Sequence, residues 1–186
     1  MTHKKLNSDS VNELTKSMGC IQLYTGNGKG KTTAALGLAV RAVGARKRVF
    51  IAQFVKGIHY SELNVLNRFP EIDLIQYGLE CFIVNKPTEN DIVAARNGFK
   101  EVSLIISQNN FDMVILDELC IALYYKLIEI EEVIKLLNTK PKEMEIIITG
   151  RYAPQELYEI SDLITEMTEI KHYYQNGINA RMGIEY

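Results

Sequence analysis

The chain carries the sequence Thr25-Gly26-Asn27-Gly28-Lys29-Gly30-Lys31-Thr32-Thr33, its strongest local signal. An apolar, β-prone run at 21–24 precedes it, and an alanine- and leucine-rich run at 34–40, typical of a helix, follows it. A strand, a glycine-rich loop and a helix that opens with Gly-Lys-Thr indicate a phosphate-binding loop. The glycines let consecutive N–H groups turn toward an anion, and the positive end of the helix dipole points at the same position.

The polar side chains of this loop have expected roles. Lys31 would reach the phosphates, and the Thr32 hydroxyl would ligate Mg²⁺. We expect Lys31 to be a partly exposed charge at the start of the helix. The common pattern has glycine where this chain has Thr25, so Gly26 and Gly28 supply the flexibility of a variant turn. A flexible surface loop with a chance lysine is the alternative, and the flanking strand and helix argue against it.

Composition limits the possible classes of protein. The chain has 186 residues, 47% of them hydrophobic and 24% charged, which suits one globular domain. The net charge of −2 creates no general field for nucleic acid, so anion binding must be local. No apolar run approaches the roughly 20 residues of a membrane span, and we expect no membrane partner. The widely spaced Cys20, Cys81 and Cys120 predict reduced thiols in a cytoplasmic protein.

Strands and helices alternate along the chain after a polar arm. Residues 1–19 form the arm, which suits either a frayed terminus or a short amphipathic helix, and residues 20–186 form a single domain. This alternation predicts an α/β fold with a mostly parallel sheet covered by helices on both faces. The strands are predicted at 21–25, 48–54, 72–77, 111–118, 145–149 and 163–167. The helices are predicted from Lys31 to about Val43, at 61–69, 88–107 and 129–138, and after Pro154.

Charged residues follow three of the predicted strands. Asp117 and Glu118 end an apolar strand, and in phosphate-loop proteins such a strand end holds the metal, directly or through water. They could instead cap the next helix. Lys56 and Arg151 also stand at strand ends, where open α/β sheets bind ligands. A solvated loop charge is the alternative for Lys56, and a surface or helix-capping residue for Arg151.

These segments together resemble the phosphate-loop family of cob(I)alamin (corrinoid) adenosyltransferases. The resemblance covers nearly the whole chain after the arm. It is carried by residues 25–33, by Gln53-Phe-Val-Lys-Gly57, Val114-Ile-Leu-Asp-Glu-Leu119, Ile147-Ile-Thr-Gly-Arg151, Lys171-His172 and Gly183-Ile-Glu-Tyr186. The set is far more specific than a phosphate loop alone.

The resemblance implies a RecA-like phosphate-loop fold, a homodimer and a defined reaction. The family transfers the 5′-deoxyadenosyl group of ATP to the cobalt of a reduced corrinoid and releases tripolyphosphate. Co(I) attacks the 5′ carbon of the ribose, after the corrinoid has lost its lower axial ligand. Mg²⁺ or Mn²⁺ would accompany ATP, and an electron donor such as a flavoprotein would reduce the cobalt.

The family chemistry gives each candidate residue a role. The charged leaving group would be stabilised by Lys29, by Lys31, by the loop amides from Gly26 to Thr33, and by a metal held by Thr32 and Glu118. Asp117 would ligate or support the metal, and Lys56 and Arg151 would contact the substrates. Lys31 and Glu118 are therefore the predicted catalytic residues. No base is needed because Co(I) carries no proton.

Two departures concern the corrinoid. Family members carry a Phe-Thr-Trp segment near its lower face, but this chain has no tryptophan. Phe82 is the only aromatic residue in the corresponding region, 78–84, so we assign it the lower face. The arm looks shorter than the helix that caps the partner's site in the family, and we expect part of it to order there when the corrinoid binds.

Two other functions are compatible with the phosphate loop. A nucleoside or small-molecule kinase would use the loop for γ-phosphoryl transfer, with Glu118 as the base. A nucleotide-hydrolysing switch or motor subunit would use Glu118 to polarise water.

Overall fold

The computed structural model describes residues 18–57, 59–79 and 86–186. The predictions for most of the 1–19 arm, for Cys81 and for Phe82 concern residues outside these ranges. Cys20 and Cys120 are free thiols, as predicted. Within the described part of the chain, no helix is long and apolar enough to cross a membrane.

In the described part of the chain, six strands form one sheet in the order β3-β2-β4-β5-β1-β6, and every neighbouring pair is parallel. The strands are β1 (Ile21–Thr25), β2 (Val49–Phe54), β3 (Ile72–Tyr77), β4 (Met113–Asp117), β5 (Glu145–Thr149) and β6 (Leu163–Glu166). All six fall where the sequence predicts strands. β2 and β4 are buried along their whole length because helices cover both of their faces.

Within residues 18–57, 59–79 and 86–186, six α-helices and one 3₁₀ helix connect or follow the strands. They are α1 (Lys31–Gly44), α2 (Leu63–Leu66), α3 (Glu89–Gln108), α4 (Leu119–Tyr124), α5 (Ile130–Asn138), α6 (Gln155–Ile160) and the 3₁₀ helix Tyr173–Asn176. α3 begins with the predicted capping box, in which the Thr88 side chain and the Asp91 carboxylate each accept from the other's backbone amide. The sequence did not predict α4, because a short run that is apolar all round has no period to distinguish a helix from a buried strand.

Alternate strand residues enter two apolar clusters on opposite faces of the sheet. Phe50 and Ala52 belong to the cluster that contains Phe99 of α3, whereas Ile51 belongs to the one that contains Ala35 and other residues of α1. The period of two follows from the pleat of a strand. The predicted fold class, a parallel α/β sheet with helices on both faces, is therefore confirmed.

The carboxyl ends of the four central strands position the site. β2, β4, β5 and β1 are consecutive in the sheet and parallel, so Phe54, Asp117, Thr149 and Thr25 lie along one edge of it. The phosphate loop leaves this edge after β1, and the residues that follow β2, β4 and β5 lie beside it. Ligands of open α/β sheets bind at such an edge.

Candidate active site

The phosphate loop spans residues 26–30 between β1 and α1. Gly26 has a φ of 94° and Gly30 a φ of 115°, values that a side chain makes costly. A Cβ atom at Gly28 would lie 2.7 Å from the Met167 carbonyl oxygen, so the chain beyond β6 passes close against the loop. The glycines are therefore needed for the backbone path of the loop and for its contact with this neighbouring chain.

The Lys31 ammonium lies inside the curl of the loop. Its Nζ donates to the carbonyl oxygens of Gly26, at 2.8 Å, and Gly28, at 2.7 Å. Only 7% of the residue is exposed, so our expectation of a partly exposed charge was wrong. The loop wraps around the first turn of α1 and covers the side chain. Burial, and then the charge of Arg151, lower the pKa of Lys31.

Residues 167–169 form hydrogen bonds with two polar groups of the loop. The Gly28 amide donates to the Met167 carbonyl oxygen at 2.6 Å, and the Asn27 side-chain oxygen accepts from the Glu169 amide at 3.0 Å. The Gly28 amide thus has a protein partner in this structure, and anion binding by the loop amides stays a prediction.

The Asp117 carboxylate is the centre of the polar network and is fully buried. Its Oδ1 accepts from the hydroxyls of Thr32, at 2.8 Å, and Thr149, at 2.7 Å. Its Oδ2 accepts from Lys56 Nζ, at 2.7 Å, and Gln53 Nε2, at 3.1 Å. The sequence predicted that Thr32, Lys56 and Asp117 would serve one site, and the structure brings them into direct contact.

Lys56 forms a largely buried ion pair with Asp117. Its side chain is 11% exposed, and its ammonium also lies 5.1 Å from the centre of the Tyr60 ring. Burial acts to lower the pKa of Lys56, but the charge of Asp117 and its hydrogen bond outweigh burial and raise it. The solvated-loop alternative for Lys56 was therefore wrong. The preceding residue, Val55, has a φ of 57°, a strained value for a β-branched residue.

Glu118 is at the start of α4 and also has a left-handed backbone, with a φ of 58°. Its amide donates to Thr149 Oγ1 at 3.0 Å, so Thr149 contacts both acidic residues. None of the described side chains hydrogen-bonds to the Glu118 carboxylate, which excludes the helix-capping alternative for this side chain. Burial, and then the charge of Asp117, raise its pKa, while Lys56, Lys31 and Arg151 oppose them.

Arg151 follows β5 at the same edge of the sheet and is exposed. Its charge acts on the pKa values of both Lys31 and Glu118, so it belongs to the same charged group. Gly150 precedes it with a φ of 138°, and a Cβ atom there would lie 2.7 Å from Cys120 Cβ. This close contact between the end of β5 and α4 fixes the direction of the backbone that leads to Arg151.

The oxygen atoms around Asp117 suit a hard cation. The Thr32 hydroxyl is already within hydrogen-bond distance of Asp117, and the adjacent Glu118 carboxylate has no described partner. Within the described ranges, no group of three or more His, Cys, Asp or Glu residues could hold a metal by itself. A Mg²⁺ or Mn²⁺ ion would therefore use Thr32, one or both carboxylates, and oxygens of a bound polyphosphate.

Three contacts of the site were missed by sequence reasoning. Gln53 and Thr149 lie in recognised motifs, but their bonds to Asp117 depend on strand neighbours that the sequence alone does not fix. Lys29 is predicted to contact the phosphates, and its ammonium also bonds to Glu185 and the Ile184 carbonyl, a contact that the sequence did not predict. The only available signal for this contact was the motif at 183–186.

Comparison with known proteins agrees with this geometry. The family model described as ATP:corrinoid adenosyltransferase BtuR/CobO/CobP matches residues 17–186. A corrinoid adenosyltransferase of Escherichia coli K12 is 38% identical over 170 residues, which cover 90% of this chain and 86% of that protein. The CobA enzyme of Salmonella typhimurium is 36% identical over 178 residues, covering 95% and 90%. A corrinoid adenosyltransferase of Pseudomonas aeruginosa is 30% identical over 185 residues, which cover 98% of this chain and 91% of that protein.

The chain belongs to the ATP:corrinoid adenosyltransferase family. The resemblance drawn from the motifs is thereby confirmed, and the kinase and switch alternatives are not favoured. The members it matches are enzymes that act on a corrinoid, so ATP and a corrinoid are the substrates that the site has to accommodate.

Proposed function

We propose that this site holds ATP while its 5′-deoxyadenosyl group passes to the Co(I) of a corrinoid. The cobalt supplies the electron pair of the new Co–C5′ bond, the bond between C5′ and the phosphate oxygen breaks, and tripolyphosphate leaves with the electron pair of that broken bond. The observation that carries the proposal is the contact between the phosphate loop and the acidic strand end, through Thr32 and Asp117. It connects a polyphosphate site to a cation site.

Stabilisation of the leaving group is the main task of the protein residues. Lys31 and Arg151 place positive charge beside the loop, and both act on the same neighbouring carboxylate, Glu118. Fixed charges and dipoles of this kind lower a barrier because they need no reorganisation when charge develops. Lys56 holds the Asp117 carboxylate in place through their buried ion pair.

A divalent cation would sit at Thr32, Asp117 and Glu118. Its contribution would be to neutralise charge on the polyphosphate as the C5′–O bond breaks. The Glu118 carboxylate is the group most ready for this role, because no described side chain occupies it. Whether Mg²⁺ or Mn²⁺ serves is decided by the supply of each ion as much as by these oxygen donors.

The rest of the reaction cycle is proposed from the family resemblance. Phe82 would fill the lower face of the corrinoid, and part of the 1–19 arm would cover the partner's site in a homodimer. An electron donor such as a flavoprotein would reduce Co(II), and the reaction would take place in the cytoplasm.

The phosphate product tests the proposed function. The protein is incubated with ATP, Mg²⁺, cob(II)alamin and a reductant, and the phosphate species are separated. Tripolyphosphate together with an alkylated corrinoid supports adenosyl transfer. ADP with a phosphorylated acceptor would indicate a kinase, and ADP with free phosphate a hydrolytic switch.

A further inference from the structure

The segment 181–186 reaches back to the phosphate loop. Lys29 Nζ donates to Glu185 Oε1 at 2.8 Å and to the Ile184 carbonyl oxygen at 2.7 Å. An ammonium has three donors, and this segment uses two of them. The Lys29 side chain is nevertheless 41% exposed, so it stays open to a phosphate oxygen.

The Glu185 carboxylate is held in place by groups other than Lys29. Its Oε2 accepts from the Arg181 amide at 2.7 Å and lies 3.5 Å from Arg181 Nε. Its Oε1 also accepts from the Tyr173 hydroxyl, and the Arg181 guanidinium lies over the Tyr173 ring. The hydrogen bonds from Lys29 and then Tyr173 lower the pKa of Glu185 to about 2, so it is ionised at neutral pH. The carboxylate is thus the fixed partner, and the long lysine side chain is the one that it orders.

The segment is also attached on its other side. The Tyr186 carbonyl oxygen accepts from the Ser61 hydroxyl at 3.0 Å and from the Gly183 amide at 2.7 Å. Ser61 follows β2, five residues after Lys56. The segment 181–186 therefore joins the phosphate loop to the chain that leaves β2, and both of these carry a lysine of the site.

We propose that Glu185 is a positioning residue for adenosyl transfer, which fixes the Lys29 ammonium at the phosphate loop before ATP arrives. A free lysine side chain loses rotamer entropy when a ligand orders it, and an ordered one does not. The inference rests on the proposed function, because it takes the polyphosphate of ATP as the partner of Lys29. The opposite effect, repulsion of ATP by the Glu185 charge, predicts a change of opposite sign.

A double-mutant cycle tests the inference. Glu185→Ala, Lys29→Ala and the double variant are compared in ATP affinity, measured by calorimetry without corrinoid, and in KM and kcat for the full reaction. We expect Glu185→Ala to weaken ATP binding about threefold to fivefold, since the pair is partly exposed. KM should rise in proportion and kcat should stay nearly constant. Glu185→Gln, which keeps the shape and loses the charge, should be intermediate.

The Lys29→Ala background separates positioning from a structural role. We expect no further effect of Glu185→Ala there, whereas a merely structural role would weaken binding equally in both backgrounds. Glu159→Ala, on the exposed face of α6, controls for the loss of one negative charge. Tighter ATP binding by Glu185→Ala, or equal losses in both backgrounds, would overturn the inference. The wild-type phosphate product is scored separately, so failure of the proposed function is distinguishable from failure of this one.

Discussion

At the scale of single residues, the Thr149 hydroxyl contacts both acidic residues of the site. It donates to Asp117 and accepts from the amide of Glu118, whose backbone is in the strained left-handed region. One buried oxygen atom therefore holds both the Asp117 carboxylate and the Glu118 backbone. Residues held in such conformations persist only when their surroundings over-determine them.

Replacement of Thr149 separates this role from packing. Thr149→Val keeps the shape but leaves the Glu118 amide without a partner, which should cost on the order of 2 kcal/mol of stability. The metal concentration for half-maximal rate should rise several-fold as the Asp117 carboxylate and the Glu118 backbone lose this support. Thr149→Ser keeps the hydroxyl and should keep that concentration near the wild-type value. Equal metal dependence in the two variants, measured by titration of the rate, would contradict the role.

Lys31→Ala should abolish most of the activity. Loss of a preorganised charge beside the leaving group should raise the barrier by about 3 kcal/mol or more. Because the ammonium is buried against two carbonyl oxygens, we also expect a stability loss on the order of 1 kcal/mol, net of desolvation. The rate and the chemical denaturation curve are measured together, with exposed Lys142→Ala as the control. A folded Lys31→Ala protein with near-normal turnover would refute the phosphate-loop assignment.

Glu118→Gln should weaken the metal dependence as well as turnover. The amide keeps the shape of the side chain and loses the charge that attracts a hard cation. The metal concentration for half-maximal rate should therefore rise above the wild-type value. If that concentration is unchanged and only a background hydrolysis of ATP disappears, Glu118 activates water and is not a metal ligand.

The sequence predicted the residues of the site better than it predicted their partners. Two short motifs, each next to a strand, predict Lys31, Thr32, Asp117 and Glu118 as site residues. The bond between Lys29 and Glu185 joins positions 156 apart, and no local pattern encodes such a distance. The burial of Lys31 was missed for a different reason, since a helix-start position does not show how the loop before it folds back.

At the scale of elements, some helices and strands could be predicted from their local sequence, whereas one helix depends on tertiary contacts. The Thr88 capping box fixed the start of α3 from four residues alone. β6 was also predicted, although all of its residues are exposed, because the β-branched Ile164 and Thr165 favour a strand. α4 was not predicted, since its helical form depends on burial between β4, β5 and their neighbours.

Two helical glycines should respond to alanine with opposite signs. Gly37 in α1 has no atom within 4 Å of an added Cβ, so Gly37→Ala should stabilise the protein by about 0.5–1 kcal/mol through helix propensity. At Gly98 in α3 the same Cβ would overlap the Tyr77 ring. Overpacking costs typically 1–3 kcal/mol, which outweighs the propensity gain, so Gly98→Ala should destabilise. Urea denaturation of both variants checks the signs, and a stabilised Gly98→Ala would show that the Tyr77 ring can move aside.

At the scale of the whole molecule, the order of the strands in space differs from their order in the chain. β1 lies between β5 and β6, with Ile21 opposite Ile146 and Gln22 opposite Leu163. The sequence predicted which segments are strands but not this order, because many orders satisfy the same right-handed connections. Both strand neighbours of β1 lie more than 100 residues later in the chain.

This order has a consequence for the protein while it is being made. The ribosome finishes the phosphate loop early, but the strands on both sides of β1 emerge on the order of ten seconds later at ordinary rates of translation. Nascent chains stalled after residue 144, with a linker that clears the exit tunnel, should bind no ATP and should be cut by protease within residues 26–33. Chains stalled after residue 186 on the same linker should bind ATP and resist cleavage. ATP binding by the shorter nascent chain would mean that the loop folds without its neighbours, and that the growing chain need not wait for residues 145–186.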